Sequence, residues 1–328
     1  MNISRRSMIK GLAGGLATAS LSSLLPRGAF AAYPDRPVKL VVPFAAGGNA
    51  DVQGRIVAEY AQRVLGKPIV VENRAGAGGG TGAEFVARSE ADGYTLLIGS
   101  NGPMTVNPIM QKTSYDTFKD FTPIVLTSYV PHVLIVNAKL PINTFADLLA
   151  TSKKEPVNIG MAGVGSATHM SLERIKAASG GDFTAVPYRS GGALQPDLIG
   201  GFIHGAVTEF SSAFPLHKGG QGRIIAIAAE TRHPDAPDIP TLIESKVNVT
   251  SESFTGILGP ANLPADIAAA IEQSVIKGMT EEAAGKLRGL GAVVVPPDQL
   301  SAKGLAAYLK MDYDRTLTAA RAIGLSKI

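Results

Sequence analysis

Apolar residues fall in short β-type runs at Val38–Val42, Ile69–Val71, Thr95–Ile98, Val133–Val136 and Ile224–Ala228. Runs of that length bounded by turn residues predict buried strands. Between the first two, Val52, Ile56, Tyr60 and Val64 recur every fourth residue, with Val57, Ala61 and Leu65 widening the stripe. That spacing predicts one helix with a buried face. A helix is expected after Asn143-Thr144 (Phe145, Leu148, Leu149) and another after Ser166 (Met170, Leu172, Ile175). Strands alternating with helices in this way predict α/β domains on mostly parallel sheets.

Two lobes are expected. A fresh unit begins with Pro131 and His132 ahead of Val133–Val136, and Phe254–Gly259 reads as a strand leading back. The crossings are placed near residues 130 and 250, giving one lobe from 32–130 with 250–328 and a second from 131–249. After Pro264 the chain is helix-rich: Ile267, Ile271, Val275 and Met279 keep a four-residue spacing, and Pro296-Pro297 precedes a last helix around Leu305–Ala322.

Residues 1–31 read as an export signal. Arg5-Arg6 and Lys10 precede a Gly/Ala/Leu-rich run, and Ala29-Phe30-Ala31 supplies the small residues for cleavage before Ala32. The paired arginines match the twin-arginine type. The signal holds Arg5, Arg6, Lys10 and Arg27 and no acidic residue, so its removal takes the formal charge from +4 to zero. The basic precursor therefore gives no ground for nucleic-acid binding. With no cysteine, disulfides and thiol chemistry are excluded. The five histidines show no metal-type spacing, and no metal or cofactor is expected.

Four turns carry candidate chemistry. In Pro43-Phe44-Ala45-Ala46-Gly47-Gly48-Asn49-Ala50-Asp51 a strand passes through glycines into a helix. Such a unit leaves backbone N–H groups at the positive end of a helix dipole and suits holding an anion. The Asn73–Gly82 turn is glycine-rich but lacks the lysine and acidic partners of nucleotide-binding loops. The third turn, Ala162–His169, places Ser166 and Thr168 at a helix start, outside any Gly-x-Ser-x-Gly context. The fourth is Tyr188–Gly192, followed by Asp197–Gly201.

In order along the chain, Pro43–Asp51, Glu72–Gly79, Asp92–Leu97, the Gly165-Ser166…His169 turn, Tyr188–Gly201 and Pro240–Glu244 resemble the Bug-type receptors of tripartite tricarboxylate transporters. The resemblance covers nearly the whole mature chain. It implies a two-lobed periplasmic-binding-protein (Venus flytrap) fold, type II-like, with the ligand cleft between lobes. It also implies a monomeric receptor that passes a small organic carboxylate to membrane permease subunits. By position, the first-lobe contacts are Phe44, Ala46, Gly47, Gly48, Asn49 and Asp51, with Ser100 and Asn101 nearby. The second-lobe contacts are Gly165, Ser166, Thr168 and His169.

Ala75 and Thr81 depart from the pattern in ways that alter only stiffness and packing, and Thr208-Glu209 and Arg189 in ways that bear on the ligand. Thr208-Glu209 stands where many members have Asp-Asn; a Glu209 facing the cleft would favour a ligand with an amino or other donor group. Arg189, in place of a frequent lysine, is either a carboxylate clamp or a solvated surface residue. The rival readings are an exported hydrolase or isomerase using Ser166 with His169, or Glu209 as a base, and a sensor that presents its ligand to a signalling partner. No catalytic residue is assigned.

Overall fold

Val38, Leu40, Val41 and Val42 are all fully buried, as a strand covered on both faces demands. This strand, β1 (Val38–Val42), is the first of ten in a computed structural model that describes residues 33–327. The export signal and its cleavage position lie outside the described residues. In chain order follow α1 (Asn49–Leu65), β2 (Ile69–Asn73), α2 (Gly80–Ala87), β3 (Thr95–Gly99) and α3 (Asn107–Met110). A long β4 (Phe121–Asn137) leads into α4 (Phe145–Ser152), β5 (Val157–Met161), α5 (Ala167–Ser179), β6 (Phe183–Pro187) and α6 (Gln195–Gly200). Then come β7 (Gly205–Glu209), α7 (Phe210–Lys218), β8 (Gly222–Ile227) and β9 (Glu252–Pro260). The chain closes with α8 (Ala265–Gly278), α9 (Glu281–Gly289), β10 (Val293–Val294) and α10 (Ala302–Ala322).

The strand order is β2-β1-β3-β9-β4-β7-β5-β6, with β8 and β10 also paired to β4. β1 runs parallel to β2 and β3, and β5 parallel to β6 and β7. β4 serves both halves. Its residues Phe121–Pro131 pair antiparallel with β9, and His132–Val136 pair with β7. The sequence pattern showed only Val133–Val136 of this strand, because Pro123 and Pro131 interrupt the apolar run before it. A register shift beside Pro123 keeps β4 in the sheet there, whereas Pro131 pairs in regular register with Glu252.

The outgoing and returning chains are bonded to each other. His132 donates its N–H to the Ser251 carbonyl at 2.9 Å and accepts from the Ala228 N–H at 2.8 Å. Beyond that point alternate β4 residues serve opposite faces. Leu134 and Val136 join the core under α4 and α5, while Val133 and Ile135 join the one under α6 and α7.

The buried face of α1 overlaps the predicted stripe and is rotated from it. Val57, Tyr60 and Ala61 of that stripe are buried and Val64 is exposed, while Gln53, Gly54 and Ala58 are buried in addition. Gly54 sets that rotation: a Cβ there would lie 3.1 Å from Ile98 Cγ1, so the helix rests directly on the sheet.

Phe254, fully buried in β9, meets the Tyr308 ring of α10 edge-on at 5.0 Å between centroids. A Phe254→Ala variant should lose about 3–5 kcal/mol of stability through transfer and cavity terms. Urea unfolding measures this directly, and a loss under about 1 kcal/mol would contradict the packing.

Candidate ligand-binding site

Three helix starts meet at one narrow cavity. Gly48, Asn49 and Ala50 bring the first turn of α1, and Ser166, Ala167 and Thr168 bring that of α5. Ser100 and Gly102 bring the start of a continuous helical stretch, 101–110, whose Gly102–Val106 part is a π-helical turn. The first N–H groups of a helix have no carbonyl within it to bond. Gly48 has no side chain to cap them, so α1 keeps its N–H groups for a guest. The Ser100 hydroxyl, on a residue 6% exposed, has no hydrogen-bond partner within the protein. Phe44, Ala162, Ser190, Gly191, Glu209 and Ser253 complete the lining. None of these residues is cationic.

Buried side-chain networks hold these helix starts in place. The Asp51 carboxylate accepts the Gly47 N–H at 3.0 Å, Asn73 Nδ2 at 2.9 Å and Arg55 Nε at 3.0 Å. Burial pushes this carboxyl up, but the donors outweigh burial and hold it below the ordinary carboxylate range. Asn101 works the same way on the third helix start. Its Nδ2 donates to Asp312 Oδ2 at 2.8 Å, and its Oδ1 accepts the Phe254 N–H at 2.8 Å. Asp312 also accepts from Thr105 and from Arg315, so α10 pins this turn to β9.

Glu209 closes the far wall. Its Oε1 accepts from Ser253 Oγ at 3.1 Å and its Oε2 from Thr208 Oγ1 at 3.2 Å. Ser253 Oγ in turn lies 2.8 Å from His132 Nε2, and His132 Nδ1 lies 3.0 Å from Ser251 Oγ. Burial pushes the Glu209 carboxyl up; its own N–H and the two hydroxyls draw it back only in part. His132 is pushed down to about 3 by complete burial, with Arg174 and Arg315 adding to the effect.

The rims around the cavity touch. Ala45 donates its N–H to the Arg189 carbonyl at 3.2 Å, and Ser211 Oγ donates to Asn49 Oδ1 at 2.8 Å. Glycines make the approach tight: a Cβ on Gly192 would lie 2.7 Å from the Gly47 oxygen, and one on Gly78 would lie 2.4 Å from the Val164 oxygen.

Of the residues singled out from sequence, Phe44, Gly48, Asn49, Ser100, Ser166, Thr168 and Glu209 line the cavity. Ala46, Gly47, Asp51, Asn101, Gly165 and His169 do not. Ala46 and Gly47 form the exposed turn ahead of α1, and Asp51 and Asn101 are occupied by the networks above. Gly165, at φ 82°, supports the turn before α5 and donates to His169 Nδ1 at 3.3 Å. The Ser166 hydroxyl meets the backbone N–H of His169, not its ring, so the two do not form a nucleophile–base pair. Arg189 is exposed at the mouth, beside Gly78 and Val164. Ser253 escaped the sequence reading because a lone serine at the start of a returning strand carries no local signal. Ser190 and Gly191 did carry one, in their Gly-rich turn.

An α/β chain that crosses twice between two sheets and encloses a cavity at its helix starts has the architecture of two-lobed periplasmic binding proteins. Rpa4515 of R. palustris, solved with adipate, superposes with a TM-score of 0.85 at 30% identity, over 90% of this chain and 99% of that one. MatC (Rpa3494) from Rhodopseudomonas palustris with bound malate gives 0.84 at 29% identity, over 88% and 99%. Protein BugT of Bordetella pertussis is 31% identical over 275 residues, 81% of this chain and 84% of BugT. The pattern of the tripartite tricarboxylate transporter family receptor matches residues 54–314, and the chain belongs to that family.

The folded value of Asp51 lies below the unfolded one, so its charge stabilises the fold above about pH 3.9 and ceases to as pH falls through the lower folded value. Asp51→Asn should therefore cost about 1–3 kcal/mol at neutral pH, with the deficit shrinking in acid. Denaturant melts of both proteins between pH 7 and pH 2.5 test this; an undiminished deficit at the acid end would refute the role given to the charge.

Proposed function

We propose that the mature protein is a receptor of the periplasm that captures a small carboxylate and passes it unchanged to the permease subunits of a tripartite tricarboxylate transporter. The observation that supports this most directly is three helix starts facing one cavity with no cationic side chain. Backbone N–H groups at helix starts attract anions without titrating. Adipate and malate, the ligands named for the two solved relatives, are carboxylates.

In this reading the protein is a monomer, exported by the twin-arginine signal and cleaved before Ala32. One lobe comprises residues 32–130 and 250–328, the other 131–249. The ligand favours the shut state because it contacts N–H groups from both lobes. The direct contacts come from the first turn of α1, from Ser100 and Gly102, and from Ser166 to Thr168. Asp51, Asn101 and His169 act behind them, as supports.

The enzyme alternative has one geometric argument in its favour, the 2.8 Å contact between Ser253 and His132. A general base works best with a pKa near the operating pH. His132 is held near 3 in complete burial, so it orients Ser253 and takes no proton from it.

Thermal melts of the mature protein against a panel of small acids test the reading. A true ligand at 100 times its Kd adds about 2.7 kcal/mol and is recovered chemically intact. Gly192→Ala sets a methyl against the Gly47 carbonyl; an overpacking penalty of about 1–3 kcal/mol weakens binding roughly 5- to 150-fold with little change in the ligand-free melt. Absence of any shift across the panel, or appearance of product, overturns the receptor assignment.

A further inference from the structure

Every residue lining the cavity is neutral except Glu209. The attraction of the helix starts serves one carboxylate. A second carboxylate on the ligand would have to share the cavity with Glu209, which has no cation beside it. Two hydroxyls, Thr208 and Ser253, donate to its oxygens and favour its ionised form, while burial, the larger effect, works against it until a cation arrives. The one titratable group in that chain of contacts is His132, reached through Ser253 and held neutral. No charged group of α1, α5, β7 or β9 offsets Glu209. A buried carboxylate in such a setting seeks a cation.

The spacing limits the length of the guest. Gly191 lies between the two poles of the cavity: a Cβ on Gly48 would be 3.6 Å from the Gly191 nitrogen, and one on Gly191 would be 3.2 Å from Glu209 Oε2. The first turn of α1 and the Glu209 carboxylate are therefore about one residue apart.

The geometry points to a compact amino acid as the ligand, its carboxylate on the helix-start N–H groups and its ammonium on Glu209. The assignment rests on the receptor reading and narrows it from carboxylates in general to zwitterions. Glu209 is the specificity-determining residue, and the Ser253–His132–Ser251 chain positions it. The same arrangement disfavours dicarboxylates of equal length.

Calorimetric titration of the mature protein with matched pairs tests this: glycine against malonate, β-alanine against succinate, and γ-aminobutyrate against glutarate. At pH 7.5 at least one amino acid should bind about tenfold or more tightly than its dicarboxylate counterpart. Glu209→Gln should weaken that amino acid by about tenfold and leave the dicarboxylate unchanged or tighter. Between pH 7.5 and 5 the wild-type protein gives an answer that needs no variant. Protonation of Glu209 loosens the amino acid and tightens the dicarboxylate, so the two affinities move in opposite directions. Dicarboxylate binding with no amino acid bound, parallel pH trends, or a folded Glu209→Gln protein with unaltered preference each overturns the assignment while the receptor reading stands. Failure of both ligand classes removes both.

Discussion

Peptide N–H groups without a carbonyl partner are the constraint around which this protein is arranged. Each helix start brings such groups, and burying them is costly until something accepts their hydrogen bonds. Here three starts are buried against one another, at Gly48–Ala50, Ser100–Gly102 and Ser166–Thr168. Side chains that could satisfy them are missing or engaged elsewhere. Gly48 offers none and Thr168 Oγ1 accepts the Ala162 N–H, while Ser166 Oγ takes up one N–H of α5, that of His169, and leaves those before it. In the receptor reading that unmet demand is the binding site. It calls for an anion, and it does so through dipoles fixed by backbone geometry, so that nothing has to ionise or reorganise when the guest arrives.

Much of the remaining polar chemistry keeps those dipoles aimed. Asp51 and Asn101 both sit one or two residues inside a helix start, and both are almost completely buried with every oxygen in use. They bind the cavity wall to distant parts of the chain: Asp51 to β2 through Asn73, Asn101 to α10 through Asp312. In the receptor reading a residue of this kind serves binding without touching the ligand, much as the outer shell of a metal site orients its ligands.

Sequence alone reveals the repeating parts better than the singular ones. Short apolar runs and four-residue spacing disclose β1, β3, α8 and α10 because those elements bury a regular face. The long β4 is obscured by Pro123, which sits at a register shift, and by Pro131, which pairs in regular register with Glu252. The rotation of α1 depends on one glycine resting on Ile98, a contact more than forty residues away along the chain. At the site, the glycine-rich turns and Ser166 are legible because a helix start has a local signature. Ser253 and His132 are not, since their contact spans 121 positions. Asp51 reads as a ligand contact from its place in the motif, yet Gly47, Arg55 and Asn73 surround its carboxylate.

The unbroken course of β4 from Phe121 to Asn137 has a mechanical consequence. The halves of the molecule share a beam rather than a tether, and the returning chain is laced to that beam at His132, Ala228 and Ser251. A beam can twist but resists stretching and sideways slip. Any movement of β5–β8 against β1–β3 is thereby limited to a twist of that beam.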